Sequence, residues 1–250
     1  MRFRDRREAG CRLAGRLVEY ADQPDVIVLA LQRGGVPVAY EIAEAICAPL
    51  DVFLIRKLGV PGCEDLAMGV VATGGVSVLN HDVVRYLDIS EQTVEEVTER
   101  ERRELEQREL LYRGERVRAD LAGRSIILVD DGLATGSTMK IAGAAVREHH
   151  PARVIIAVPV ASRATYEEFN GMADGVVSLS GATTDSFYAV GLWYDDFSQT
   201  TDEEARRLLS QAAYRLRLAY PDEPAKNGSY NQGRGRGEGA HFRSRRNVIT

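Results

Sequence analysis

Residues 125–139 read Ser-Ile-Ile-Leu-Val-Asp-Asp-Gly-Leu-Ala-Thr-Gly-Ser-Thr-Met, an order that few folds accommodate. Ile126 to Val129 is a short, wholly apolar, β-branched run, which reads as a strand buried on both faces. Asp130 and Asp131 stand where that strand emerges, at a solvent-accessible end. Gly132 to Thr138 is small and hydroxyl-rich, and a helical pattern follows it. A strand, a tight turn and a helix N-terminus aim free backbone N–H groups and the positive end of the helix dipole into the turn. Thr135, Ser137 and Thr138 add hydroxyl donors, and Gly136 lets the backbone come close to a ligand. This is an anion cradle. Two carboxylates beside it would repel a plain anion. They suit a ligand that also carries a diol, or a magnesium ion, because carboxylates accept from vicinal hydroxyls and bind hard cations.

The same grammar recurs upstream. Val26 to Leu31 is an apolar strand that runs into Gln32-Arg33-Gly34-Gly35-Val36-Pro37, followed by a helical stretch from Val38 to Ile46. A cationic, glycine-rich turn at a strand end suits a multiply charged oxygen ligand. A second apolar strand, Asp51 to Ile55, precedes Arg56-Lys57-Leu58-Gly59, so two cations follow another buried strand end. Further strands, Arg153 to Val160 and Gly175 to Leu179, alternate with helical stretches. The alternation predicts a parallel sheet with ligands at the carboxyl ends of its strands. One sheet edge would then gather the Arg33, Arg56 and Asp130 turns.

The stretch around Asp130 resembles the PRPP-binding loop of the type I phosphoribosyltransferases, on Asp130, Asp131, Ala134, Thr135, Gly136, Ser137 and Thr138. Val129 to Thr138 is especially similar to the version found in adenine phosphoribosyltransferases. The resemblance implies an α/β fold: a parallel twisted sheet flanked by helices, with a lid insertion over about 58–120 and a small hood over about 180–200. It implies transfer of the 5-phosphoribosyl group from PRPP to a nitrogenous base with release of pyrophosphate, as in purine salvage in the cytoplasm. Asp130, Asp131 and Arg33 would be catalytic, the two acids holding the ribose hydroxyls. Ala134, Thr135, Gly136, Ser137 and Thr138 would hold the 5′-phosphate. Arg33, Gly34, Arg56 and Lys57 would hold pyrophosphate, with a cis peptide expected at Gln32–Arg33. Mg²⁺ is the implied cofactor, on Asp130 and Asp131 directly or through water, and a homo-oligomer is expected. One position departs from the hypoxanthine–guanine members: they carry an acid, a candidate for base deprotonation, where this chain has Ala134. A PRPP-sensing regulator without transferase activity and a phosphoribosyl hydrolase are the alternative readings.

The remaining segments fit around this plan. Phe3 to Tyr20 is expected to be a helix, with Phe3, Cys11, Ala14, Leu17 and Val18 on one face and arginines opposite. Met68 to Thr73 and Val76 to Leu79 flank Gly74-Gly75, a hairpin signal, and a short helix is expected over Val83 to Leu87. From Ser90 to about Arg113 runs a helix dense in Glu and Arg, with Val94, Val97, Leu105 and Leu111 as a thin apolar stripe. It occupies the position of the family's mobile lid, here longer and more helical, and Arg100, Arg102 or Arg103 are candidates to reach the phosphates. Residues 187–197 are the most aromatic part of the chain. Aromatic faces stack on planar heterocycles and carboxylates accept base N–H groups, so Tyr188, Trp193 and Asp195 are the expected base-binding residues. Thr201 and the acids after it open a helix to about Tyr220.

The phosphoribosyltransferase domain is expected over 1–221. Residues 222–250 are rich in Gly, Arg, Ser and Asn and poor in apolar residues, the composition of a disordered tail. Its Arg-Gly repeats are a weak RNA-binding signal, and the overall charge of −5 gives no global reason to bind nucleic acid. No apolar run is long enough to span a membrane and no apolar segment follows the basic start, so neither anchor nor leader is expected. Three widely spaced cysteines, Cys11, Cys47 and Cys63, suggest a reducing compartment without a disulfide frame.

Overall fold

A computed structural model describes residues 2–114, 116–179 and 187–220. In chain order the elements are α1 (Arg6–Ala14), β1 (Val26–Leu31), α2 (Gly35–Ile46), β2 (Leu50–Phe53), β3 (Ile55–Val60), β4 (Cys63–Ala72), β5 (Val76–Leu79), α3 (His81–Tyr86), α4 (Glu91–Arg113), β6 (Ser125–Val129), α5 (Ser137–Arg147), β7 (Arg153–Val158), α6 (Arg163–Asn170), β8 (Gly175–Ser178) and α7 (Asp202–Ala219). The expected tail, 222–250, and the first part of the expected hood, 180–186, lie outside the described residues.

Five strands form one parallel sheet in the order β2-β1-β6-β7-β8. Every residue of β1 and β6 is buried, as their unbroken apolar runs require. Along β1, Val26, Val28 and Ala30 face a core shared with Leu13 of α1, Ile42 of α2 and Leu209 of α7. Ile27, Leu29 and Leu31 face the opposite core, shared with Met139 of α5 and Phe169 of α6. Helices therefore cover both faces of the sheet, as the alternation predicts. From β1 the chain steps outward to β2; from β6 it steps the other way through β7 to β8. The carboxyl ends of β1 and β6 thus flank the point where the winding reverses, the crevice in which open α/β sheets bind ligands.

The insertion between β2 and β6 contains an antiparallel sheet, β3-β4-β5, with Gly74 and Gly75 turning between β4 and β5 at φ +91° and +76°. The hairpin is where the sequence signals it. α4 is no free flap: Val97, Leu105 and Tyr112 are buried in the main core. Leu111, expected on the apolar stripe, is instead 60% exposed, and Tyr112 takes its place. The last turn of α4 is pinned to the sheet by Arg113, which donates to Asp51 at 2.9 and 3.0 Å and to the Val52 carbonyl at 3.0 Å, and pairs with Glu109 at 2.9 Å.

Two expectations need correction. The first helix covers only Arg6–Ala14; Asp5 caps it by accepting from Glu8 N–H, and a separate 3₁₀ turn covers Val18–Tyr20. Its buried face is Ala9, Gly10, Leu13 and Ala14, with Cys11 exposed and Val18 68% exposed. The second correction concerns residues 54–60. The core strand ends at Phe53, and Ile55 begins β3 of the other sheet. Leu54 and Thr73 exchange hydrogen bonds there, through Leu54 N–H to Thr73 Oγ1 at 2.8 Å and Thr73 N–H to Leu54 O at 2.9 Å. Arg56 and Lys57 therefore lie on an antiparallel strand, not on a turn at the parallel sheet's edge. No helix among the described residues is long and apolar enough to cross a membrane.

Candidate active site

β6 delivers Asp130 and Asp131 to the crevice, and the chain turns at once. Leu133 pairs with the exit of β7, its N–H donating to Val160 O at 2.9 Å. Thr165 Oγ1 donates to Ala134 O at 2.6 Å, fastening the loop to α6. Gly136 then sits at φ +69° as the N-cap of α5. A side chain there would strike Phe169 and lie 2.8 Å from Thr165 Cγ2, so both conformation and space require glycine. Ala134, Thr135, Ser137 and Thr138 are exposed around this helix start, and Thr135 Oγ1 lies 3.1 Å from Ser137 Oγ. The hydroxyls of Thr135, Ser137 and Thr138 thus stand exposed beside the first N–H groups of α5, the donor types an anion cradle needs.

The two acids are less accessible than expected; the Asp131 side chain is only 14% exposed. Asp130 Oδ1 accepts from Asp131 N–H at 2.9 Å. Burial, followed by the neighbouring Asp131 charge, pushes the Asp130 carboxyl well above the ordinary carboxylate range. Burial also raises Asp131, against the opposing pull of Arg6.

The Arg33 loop closes the other side of the crevice. β1 and β6 are adjacent, so the loops after them meet: a Cβ on Gly34 would overlap Asp131 Oδ2, and one on Gly35 would lie 2.6 Å from Val129 O. The Gln32–Arg33 peptide is cis. Gln32 Oε1 is buried and takes no hydrogen bond among the described residues. Arg33 is one-third exposed and lies 3.5 Å from Asp202 at the start of α7. Asp202 also accepts a hydrogen bond from Tyr112 of α4. Burial and that bond push the Tyr112 hydroxyl up to about 12, and the same bond holds Asp202 below the usual carboxylate value.

The other expected site residues are more scattered. Arg56 pairs with Glu101 of α4 at 2.7 Å, and Lys57 donates to Asp65 O at 3.3 Å. Arg100, Arg102 and Arg103 each pair with a glutamate of their own helix. Tyr188 is 83% exposed. Trp193 stacks on Phe187 with ring centroids 6.0 Å apart and packs against the Phe3–Tyr194 cluster. Asp195 is exposed, 3.4 Å from Arg2.

Two residues that carry no local signal complete the site. Arg6 Nε donates to Asp131 Oδ2 at 2.8 Å, and its guanidinium also donates to Ser198 O at 2.7 Å. Tyr194, buried, donates to Asp131 O at 2.6 Å. The N-terminal arm holds both in place: Phe3 N–H donates to Trp193 O and Asp195 N–H to Phe3 O, each at 2.8 Å. The aromatic segment is thus laced to the chain's beginning, a pairing of positions so far apart that no sequence window reveals it.

Comparisons with known proteins identify the family. The phosphoribosyl transferase domain family matches residues 6–192. Two proteins of Mycobacterium tuberculosis, named "Putative phosphoribosyl transferase" Rv0571c (strain H37Rv) and MT0597 (strain CDC 1551), are each 44% identical over 210 residues, covering 84% of this chain and 47% of theirs. This chain therefore spans about half the length of those curated relatives. The crystal structure of TT1426 from Thermus thermophilus superposes with a TM-score of 0.71 at 42% identity, covering 84% of this chain and 99% of that one. This chain belongs to the phosphoribosyl transferase domain family.

Proposed function

We propose that this chain transfers the 5-phosphoribosyl group from PRPP to a nitrogenous base and releases pyrophosphate. One observation carries the reading: the acid-bearing phosphate cradle and the cationic Arg33 loop abut at the switch point, with Gly34 against Asp131. A ligand that presents a phosphate, a diol and a pyrophosphate in that order matches this sequence of donors, carboxylates and cation. The N–H groups and hydroxyls of Thr135 to Thr138 bind the 5′-phosphate far from the reacting bond, so its binding energy orients C1′. Asp130 and Asp131 accept from the ribose hydroxyls and oppose the positive charge that develops on the ring. The base nitrogen bonds to C1′ as the bond from C1′ to the pyrophosphate oxygen breaks; the electron pair leaves with pyrophosphate toward Arg33, and a proton carried by the attacking nitrogen passes to the departing pyrophosphate. Ala134 offers no carboxylate, so the loop supplies no base-deprotonating group at that position.

The donor set suits Mg²⁺ held jointly with the ligand. No group of three or more His, Cys, Asp or Glu side chains poised for a metal occurs among the described residues, while Mg²⁺ is ordinarily held by one or two carboxylates together with phosphate oxygens and water. Asp130 is the residue best placed to take part, since Arg6 engages Asp131. Bound Mg²⁺ would neutralise the charge on the departing pyrophosphate. Tyr188, Trp193 and Asp195 are the residues proposed to face the base.

The test is incubation with PRPP, Mg²⁺ and a panel of nucleobases while pyrophosphate release is followed. Base-dependent release supports the reading. Release without any base would mark a phosphoribosyl hydrolase, and calorimetric PRPP binding without release would mark a sensor. In the Asp130→Asn/Asp131→Asn double variant both binding and release should be lost.

A further inference from the structure

The acid pair has a resident counter-ion, and it comes from the far end of the chain. Arg6 is the first residue of α1, and its guanidinium makes four contacts: Nε to Asp131 Oδ2 at 2.8 Å, Nη1 to Ser198 O at 2.7 Å, and its face over the Phe197 and Tyr194 rings at 3.9 and 6.0 Å from their centroids. The pair is well enclosed, with 11% of the Arg6 side chain and 14% of the Asp131 side chain exposed. Its origin is fixed, because Asp5 caps α1 and the Phe3 backbone is bonded to residues 193 and 195. Asp131 is gripped from the other side as well, its carbonyl accepting from Tyr194. Among the described residues no other side chain donates to the Asp131 carboxylate.

We propose that Arg6 is a positioning residue for the carboxylate pair: it occupies the Oδ2 edge of Asp131, leaves the Oδ1 edge for a ribose hydroxyl, and cancels the charge that would let the two acids take a divalent cation before PRPP arrives. This rests on the reading of Asp130 and Asp131 as the ribose-binding acids. Two adjacent carboxylates in a half-buried crevice attract any hard dication. A guanidinium fixed against one of them leaves a net charge of one acid, and its plane, held by Ser198 O and the Phe197 ring, aims the one hydrogen bond to Oδ2 as a flexible ammonium would not. The metal is then admitted together with the ligand's own oxygens. The same guanidinium bridges to Phe197 and Ser198, so the aromatic segment and the acid pair are held in one geometry.

The test reads metal binding apart from turnover. Mn²⁺ is titrated by electron paramagnetic resonance into wild type, Arg6→Gln, Arg6→Met and Arg6→Lys without PRPP, and PRPP affinity is measured by calorimetry on the same four proteins. Removing one opposed charge from a partly buried site should tighten Mn²⁺ binding by about tenfold or more in Arg6→Gln and Arg6→Met. Arg6→Lys, which keeps the charge, should stay as silent as wild type while losing PRPP affinity. Arg6→Gln keeps a polar amide, on a shorter side chain, where Arg6→Met is wholly apolar, so it carries the test if Arg6→Met does not fold. Mn²⁺ affinity within about threefold of wild type in a folded Arg6→Gln protein would overturn the proposal. A wild type that fails to bind PRPP would instead sink the functional reading, and the Mn²⁺ arm would still decide whether Arg6 excludes cations.

Discussion

Replacing Arg113 by Met should release the last turns of α4 from the sheet and destabilise the whole domain. The wild-type guanidinium satisfies both oxygens of Asp51, the Val52 carbonyl and Glu109, in a site where the Arg113 side chain is only 6% exposed. After the change, Asp51 retains only the N–H groups of Val52 at 2.8 Å and Ala119 at 3.4 Å. Glu109, whose Oε1 has no hydrogen-bond partner among the described residues, loses its ion pair with Arg113. Breaking a buried ion pair by removing one partner costs about 3–5 kcal/mol, because it strands the other charge. At about 2–4 °C per kcal/mol for a domain of this size, the melting temperature should fall by about 6–20 °C. Differential scanning calorimetry gives the shift, and hydrogen exchange should show it concentrated in the last turns of α4. The triple variant Asp51→Leu/Glu109→Leu/Arg113→Met removes all three charges and should recover much of the loss. A fall of less than about 3 °C in the single variant would refute the claim that this pair anchors α4.

Asp130→Asn should melt higher than wild type in ligand-free protein with chelator at neutral pH. Its raised folded-state pKa means that folding takes up a proton between the ordinary value of 3.8 and that raised value, so wild-type stability falls as pH rises through this window; the advantage of the variant should vanish near the lower end and grow upward. Gly136→Ala should lose about 2–4 kcal/mol, from a side chain forced to positive φ and from overlap with Phe169 and Thr165, with PRPP affinity falling in parallel by calorimetry. Tyr188→Ala should raise the KM for a planar base by the equivalent of about 1–3 kcal/mol of stacking, with PRPP affinity unchanged, whereas Trp193→Ala should also lower the melting temperature, since Trp193 packs on Phe187 and the Phe3 cluster. Asp195→Asn should change which base is accepted, because a carboxylate only accepts hydrogen bonds and an amide also donates them; an unchanged base profile would remove Asp195 from the base site.

What could be read from the sequence was what short segments decide alone. The runs ending at Leu31 and Val129 are apolar throughout because both sheet faces are covered, and each is followed at once by the residues its turn requires. Ser90, Ser162 and Thr201 cap their helices as their positions suggest, each accepting from the N–H three residues on. The reading failed where distant pairing overrides local pattern. Asp51 to Ile55 looks like one strand, yet Leu54 is tied to Thr73 and the chain changes sheets there. That exchange puts Arg56 and Lys57 on β3 of the antiparallel sheet, where Glu101 pairs with Arg56. Phe3 to Tyr20 looks like one helix, yet the Phe3 backbone pairs with the segment around Tyr194, so the helix begins three residues later. Arg6 and Tyr194 are invisible for the same reason, since their roles depend on an acid 125 and 63 positions away.

Two of the long-range ion pairs at the site differ in a way that bears on how a ligand enters. Arg33 and Asp202 are 3.5 Å apart with the Asp202 side chain 60% exposed, and such a pair is worth only about 0–1 kcal/mol. Asp202 keeps its hydrogen bond from Tyr112 if Arg33 departs, so a pyrophosphate can take the guanidinium without stranding the acid. Arg6 and Asp131 are enclosed, and parting them would leave a largely buried carboxylate beside Asp130 with no other cation paired to it among the described residues. The cationic loop is therefore held by a counter-ion it can exchange, and the carboxylate pair by one it must keep. That asymmetry matches the chemistry proposed: the group that grips the leaving pyrophosphate must let go once per turnover, whereas the group that faces the ribose has to stay in place while its partners come and go.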